Sequence, residues 1–233
     1  MIKNIILDVD STVLGAEILE TLFLQAFPEG EARDSLLKKV EQITNLGMSG
    51  QILFNESLQR RVAMLSLTKK LLKQTASELT FKISRSFIKN LGFLKAYNIV
   101  FISGAFMEII LPLLKPLGFK KEQVFANNFK FIGREFAGVE ENNPLAKPKG
   151  KVKVAKNLGF KAQETIVIGD GFTDYEIKKA GLAKAFIYYE EFVTRESVKE
   201  LANFVVQDFD ELVALFDNKL IPAGIQMKPL FIN

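Results

Sequence analysis

Apolar positions along the chain fall into two periodicities. Ile5, Ile6 and Leu7 form an unbroken apolar run within residues 3–9, the pattern of a strand covered on both faces at the centre of a parallel sheet. The run stops at Asp8 and Asp10. It recurs over 98–103 (Ile99, Val100, Phe101, Ile102) and over 164–170 (Thr165, Ile166, Val167, Ile168), each time ending in a small or acidic residue followed by helical spacing. A weaker strand is expected over 183–188. Strands alternating with helices predict an α/β fold with a doubly wound, Rossmann-like parallel sheet, whose ligands bind beyond the carboxyl ends of the strands.

About eighty residues without strand character separate the first two strands, far more than one crossover helix needs. Residues 16–27, 31–45, 55–67 and 68–79 carry helical spacing, punctuated by Pro28-Glu29-Gly30 and by Gly47-Met48-Ser49-Gly50. We read an inserted helical cap at 15–79 on an α/β core made of 1–14 and 80–217, an arrangement that excludes water from a bound substrate. Residues 124–131 and 134–139, with Gly133 in the turn, predict a hairpin. The tail at 218–233, with Pro222, Gly224 and Pro229, does not continue the helical pattern and reads as a packing or oligomerisation arm.

Composition narrows the chemistry by two absences. The 233 residues include no Cys and no His. Disulfides, thiolate zinc sites, cysteine nucleophiles, serine–histidine pairs and histidine-based phosphoryl transfer are thereby excluded. Any catalysis must run on carboxylates, lysine, hydroxyls or a bound metal. No run approaches the roughly 18 apolar residues that span a bilayer, so a soluble, cytoplasmic protein is expected. The net charge of +4 is spread without a basic tract, which favours a small anionic ligand over nucleic acid or a membrane.

Four short segments at predicted strand ends or helix starts carry the candidate chemistry. Asp8-Val9-Asp10-Ser11-Thr12 places two carboxylates at i and i+2, on one side of an extended chain. Gly169-Asp170-Gly171-Phe172-Thr173-Asp174 adds two more, with glycines that let backbone approach a ligand closely. Ser103-Gly104 closes a strand before a helix, where a hydroxyl and free amides suit an anion. Lys149-Gly150 opens another helix and brings a positive charge. Each has an ordinary explanation alone: an Asx turn, a tight turn, a solvated lysine. Together they suit Mg²⁺, which takes oxygen ligands and is held by one or two carboxylates plus substrate phosphate. The chemistry that fits is phosphoryl transfer to an aspartate.

In their order along the chain, with Asp8 to Thr12 first, then Ser103-Gly104, Lys149-Gly150 and Gly169 to Asp174, the four segments resemble the motifs of the haloacid dehalogenase superfamily of phosphohydrolases. Glu17 and the residues from Met48-Ser49-Gly50 through Phe54-Asn55-Glu56-Ser57-Leu58 to Arg60-Arg61-Val62 resemble its phosphoserine phosphatase branch, the similarity covering roughly residues 1–216. The resemblance implies Asp8 as nucleophile, Asp10 as general acid and base, and Lys149 as the catalytic lysine. It further implies Mg²⁺ held by Asp8, the backbone carbonyl of Asp10 and Asp170, with Asp174 in support. Ser103, Gly104 and Thr173 would bind phosphate. Glu17 would meet the substrate ammonium and Arg61 its carboxylate, with Met48 and Phe54 closing the pocket. The implied reaction is hydrolysis of O-phosphoserine in serine biosynthesis, by a monomer or homodimer.

Spacing alone puts Phe54, Leu58, Arg61 and Leu65 on one helical face, so Arg61 either finds a partner within an apolar stripe or snorkels to solvent. Ala105 stands where the family usually has a second glycine. Lys147, Lys149 and Lys151 lie close together, and Lys149 is chosen by the glycine after it. Two other readings stay open: transfer to another acceptor or hydrolysis of another small ester such as phosphohomoserine or phosphothreonine, and a ligand-binding module without catalysis.

Overall fold

The computed structural model describes residues 1–217; the tail expected to act as a packing arm lies outside them. The chain runs β1 (Asn4–Leu7), α1 (Ile18–Ala26), α2 (Glu31–Met48), α3 (Phe54–Val62), α4 (Lys69–Leu79), α5 (Arg85–Lys89), α6 (Leu91–Leu94), β2 (Asn98–Phe106), α7 (Met107–Leu114), β3 (Val124–Asn127), β4 (Phe129–Ile132), β5 (Glu135–Val139), α8 (Gly150–Asn157), β6 (Thr165–Gly169), α9 (Phe172–Lys179), β7 (Ala185–Tyr189), α10 (Glu196–Lys199), β8 (Phe204–Val206) and α11 (Phe209–Asp217).

β1 is buried along its whole length, as its apolar run requires, and takes the middle of a six-stranded parallel sheet ordered β3-β2-β1-β6-β7-β8. Strand pleating divides the apolar residues between two faces. Ile5, Leu7, Phe101, Ile168 and Ile187 enter one core, while Ile6, Ile102, Val167, Phe186 and Tyr188 enter the other against Val154 and Ile177 of α8 and α9. Strand order reverses between β1 and β6, the position at which a doubly wound sheet opens a crevice at its carboxyl edge.

The four helices α1 to α4 follow β1 as expected, and Leu19, Leu22, Phe23, Val40 and Leu58 share a continuous apolar interior with the sheet. α2 continues to Met48, and α3 stops at Val62 rather than 67, leaving Leu65 buried in the turn that follows. Thr68 caps α4 by accepting from the Leu71 amide at 3.1 Å, the local bond that stops a helix fraying at its start. α2 and α3 touch at Gly47, where a Cβ would stand 2.7 Å from the Ser57 Cβ, and Ser57 Oγ donates to the Ile43 carbonyl at 2.9 Å.

Two expectations need correction. The predicted first hairpin arm divides: Val124–Asn127 pairs in parallel with β2 as an edge of the main sheet, and only Phe129–Ile132 pairs with β5 across Gly133. Alternation alone does not say which partner a strand takes, and Asn127-Asn128 marks the break. β8 was not anticipated; three apolar residues give too short a signal to separate from a loop. No described helix is long and apolar enough to cross a membrane.

Candidate active site

β1 delivers Asp8 to the carboxyl edge of the sheet, its amide bonded to the Ile168 carbonyl at 3.0 Å. The chain then folds back sharply. The amides of Thr12, Val13 and Leu14 all reach the Val9 carbonyl, at 3.3, 2.9 and 2.9 Å, and Ser11 takes a left-handed backbone (φ 52°). Asp8 is 2 % exposed, and its Oδ1 accepts from the Val9 amide at 2.8 Å. Asp10 Oδ2 accepts from the Ile18 amide at 3.3 Å, while its Oδ1 is buried without a partner.

β6 delivers Asp170 beside it, and the first turn of α9 adds Asp174, whose Oδ2 accepts from the Gly171 amide at 3.3 Å. Position 169 must be glycine: a Cβ there would lie 2.5 Å from the Asp174 carboxylate. Asp8, Asp170 and Asp174 each place a carboxylate oxygen within 4.8 Å of the others, and all three are buried. Such a set of hard oxygen donors is able to hold a divalent cation.

The lysine that meets this cluster is Lys151, not Lys149. Lys151 is buried, with Nζ 2.7 Å from Asp8 Oδ2 and 2.8 Å from Asp174 Oδ1. Lys149 is exposed and forms the N-cap of α8 in a left-handed backbone (φ 56°). Gly150 fixes this arrangement, because a Cβ would meet the Pro144 carbonyl oxygen at 2.5 Å and Leu145 Cα at 2.6 Å. The helix start therefore packs flush on that turn, and the inward-facing position is the residue after the glycine rather than the one before it. Lys147 is also exposed.

Arg195 was not anticipated. It lies in an irregular segment after β7, where Tyr188 Oη accepts from its amide at 2.6 Å and donates to the Val193 carbonyl at 3.2 Å. Its side chain is 8 % exposed, contacts Asp170 Oδ2, and stands 3.5 Å from Glu17 Oε1. No motif announces it; the one available signal is its place beyond the carboxyl end of a parallel strand.

Charges at this density perturb one another. Burial pushes the Asp10 and Asp174 carboxyls well above the ordinary range, with Glu17 adding to the effect on Asp10 and Asp8 to that on Asp174. Asp170 is pushed up to about 7 by burial, against the pull of Arg195. Burial disfavours the Lys151 ammonium, but Asp174 and Asp8 outweigh it and raise its pKa. A carboxyl that keeps its proton near neutrality is suited to donate it.

The facing wall of the site is built by residues at α1, α2 and α3. Arg61 is 4 % exposed, so it does not snorkel to solvent; the neighbouring Arg60 does, and pairs there with Glu56. Arg61 Nε donates to the Ser57 carbonyl at 3.3 Å and Nη1 to Thr44 Oγ1 at 3.1 Å. Its burial lowers its pKa, opposed by Glu17, Asp10 and Glu20. Glu17 accepts from Ser11 Oγ at 2.8 Å. Phe54 lies directly on the strand end, where a Cβ on Gly104 would be 2.2 Å from its Cζ, and Met48 Cε is 3.1 Å from the corresponding position on Gly171.

Ser103 and Gly104 still belong to β2 and do not start a helix; α7 begins at Met107. Ser103 Oγ accepts from the Ala105 amide at 3.0 Å, and Ala105 fits in a buried position. Thr173 Oγ1 is buried without a partner. One cavity is lined by Asp8, Asp10, Glu17, Met48, Phe54, Arg61, Ser103, Gly104, Ala105, Lys151 and Thr173. Asp170 and Asp174 do not line it but keep carboxylate oxygens within 4.8 Å of Asp8, so of the expected site residues Lys149 alone lies outside the cluster.

Known proteins resemble this chain in sequence and in fold. The family model described as haloacid dehalogenase-like hydrolase matches residues 2–181. The phosphoserine phosphatase of Homo sapiens is 32% identical over 211 residues, which are 88% of this chain and 89% of that protein. A crystal structure described as a phosphoserine phosphohydrolase-like protein from Francisella tularensis aligns with a TM-score of 0.83 at 32% identity, over 92% of this chain and 99% of that one. A phosphoserine phosphatase captured as a phospho-aspartyl intermediate analogue shares the fold, with a TM-score of 0.76 at 23% identity over 91% of this chain and 98% of that one. With the family model covering residues 2–181 and Asp8, Ser103, Lys151 and Asp170 gathered at one sheet edge, the chain belongs to the haloacid dehalogenase-like hydrolases.

Proposed function

We propose that this protein is a Mg²⁺-dependent phosphatase that hydrolyses O-phosphoserine through a phosphorylated Asp8. The observation that carries the reading is that one cavity holds both the Asp8–Lys151 pair and the buried guanidinium of Arg61, whose hydrogen bonds go to a hydroxyl and a backbone carbonyl. The first pair serves phosphate, the second an amino-acid carboxylate. Residues 15–79 act in this proposal as a cap that closes the cavity, and 1–14 with 80–217 as the catalytic core.

The donor set fits Mg²⁺: buried carboxylate oxygens of Asp8, Asp170 and Asp174 at mutual reach, in a chain with no Cys or His to offer a thiolate or imidazole. When bound, the ion would neutralise phosphate charge and orient the ester for in-line attack. The chain's own groups carry the remainder. Lys151, held by Asp8 and Asp174, offers its other protons to the phosphoryl oxygens, joined by Ser103 Oγ and the unpartnered Thr173 hydroxyl. Asp8 forms the new bond to phosphorus as the serine oxygen leaves, and Asp10 gives that oxygen its proton. Water then attacks the phosphorylated Asp8; Asp10 takes up the released proton, and the acyl phosphate breaks to Asp8 carboxylate and inorganic phosphate. Such acid–base assistance is worth roughly 100- to 10,000-fold.

Glu17 would meet the substrate ammonium, Arg61 the carboxylate, and Met48 and Phe54 the methylene. A cytoplasmic location and independence from nucleic acid and membranes belong to the same proposal. Trapping tests it: borohydride reduction during turnover of phosphoserine should convert residue 8 to homoserine, read by mass spectrometry. Turnover that leaves Asp8 unmodified would contradict the reading.

A further inference from the structure

The strand end that faces the phosphate position is out of register with its neighbour. β2 and β3 pair at Ile102↔Phe125 and again at Phe106↔Asn127, so four steps along β2 match two along β3, and Ser103-Gly104-Ala105 bulge out of the ladder. A bulge of this kind leaves backbone groups without their ladder partners while re-aiming the chain at a site. The Gly104 carbonyl is one such group, and it is met by a side chain: Asn127 Nδ2 donates to it at 2.7 Å. Asn127 is fully buried, and its Oδ1 has no partner, so this amide makes a single side-chain bond. Burying an amide with half its capacity unused is costly, and the position is the last residue of an edge strand, where an apolar side chain would pack at lower cost.

We infer that Asn127 is a positioning residue for phosphate binding: by holding the Gly104 carbonyl it fixes the rotation of the Gly104–Ala105 peptide and keeps the Ser103–Ala105 bulge open toward the phosphoryl group. Ser103 Oγ, already bonded to the Ala105 amide at 3.0 Å, is oriented through the same peptide. This inference rests on the phosphatase reading above and adds to it a residue outside the cavity wall. Asn127 is bonded to the strand end that lines the cavity and lies on a different element from Arg61, so it acts on every phosphate ester alike and leaves amino-acid selectivity to the inserted helices.

The test uses Asn127→Leu, close to asparagine in shape and uncharged but without the donor, and Asn127→Ser as the second variant should the first not fold. Inorganic phosphate binding is measured by calorimetry with Mg²⁺ present, beside kcat/KM on phosphoserine and on an aryl phosphate. Loss of one positioning bond predicts phosphate binding weakened about tenfold and kcat/KM lowered about tenfold on both esters, with their ratio unchanged. Phosphate binding within about twofold of wild type with only a lowered melting temperature would show a merely structural residue; a loss confined to phosphoserine would place its effect at the substrate side. Either overturns the inference. A wild type that neither binds phosphate nor cleaves either ester would overturn the phosphatase reading and this role with it.

Discussion

Lys151 reaches Asp8 with Nζ 2.7 Å from Oδ2, whereas Lys149, two residues earlier, faces solvent. The distinction gives the first prediction. Lys151→Met should reduce phosphate release by at least about 100-fold, the scale of losing a preorganised charge at a reacting oxyanion. Lys149→Met should stay within about twofold, as surface changes do. Equal losses in the two variants, measured with Mg²⁺ and saturating phosphoserine, would contradict the placement.

That pair also marks how far the sequence could be read. The three central strands, the acids at their ends and the helical insertion were legible, because an apolar run broken by Asp is a strong local signal and each acid sits where its strand stops. The choice among Lys147, Lys149 and Lys151 was not: it depends on Gly150 packing against Pro144 and Leu145, a tertiary contact that rotates the helix start. Arg195 was hidden for the same reason, since tertiary contacts, among them the Tyr188 hydroxyl bonded to its amide and the Glu17 carboxylate near its guanidinium, hold its irregular segment against Asp170. The bulge at Ser103-Gly104-Ala105 follows from pairing with β3, a strand whose partner alternation does not specify.

Contact between Phe54 and Gly104 yields a coupled prediction. Gly104→Ala would drive a Cβ to 2.2 Å from the Phe54 ring, opening the inserted helices and lowering kcat/KM by about tenfold or more. Placed in a Phe54→Ala background, the same change should cost less than about threefold, because residues in contact are not additive. Additive losses in the double mutant would mean that the contact does not limit closure.

Arg61 carries the amino-acid selectivity in this account. Arg61→Ala should lower kcat/KM on phosphoserine by about 30-fold or more, the scale of removing one partner of a buried charge pair, and change hydrolysis of an aryl phosphate by less than about threefold. Matching losses on the two substrates would remove Arg61 from carboxylate recognition.

Glu20 supplies a stability prediction with a definite sign. Burial, with Glu17 adding to it, raises its carboxyl from 4.5 to about 7. Between those values the folded protein holds a proton that the unfolded chain has lost, so this group's contribution falls as pH rises through that window and stays low above it. Glu20→Gln should therefore gain stability relative to wild type at about pH 7.5 compared with about pH 5, read as the difference in urea midpoints. A difference independent of pH would refute the assignment. Glu20 is partly exposed, which keeps the effect modest.

The most direct measurement of the central claim is phosphate release from phosphoserine, phosphothreonine, phosphohomoserine and an aryl phosphate, each with Mg²⁺ and with chelator, and with homoserine added to detect transfer. The account predicts that phosphoserine leads by a wide margin, that chelator abolishes its turnover, and that added homoserine accepts no phosphate. Metal-dependent turnover indifferent to the amino acid would leave the chemistry of Asp8 and Lys151 standing and contradict the roles given to Glu17 and Arg61; turnover unaffected by chelator would contradict the account at its centre.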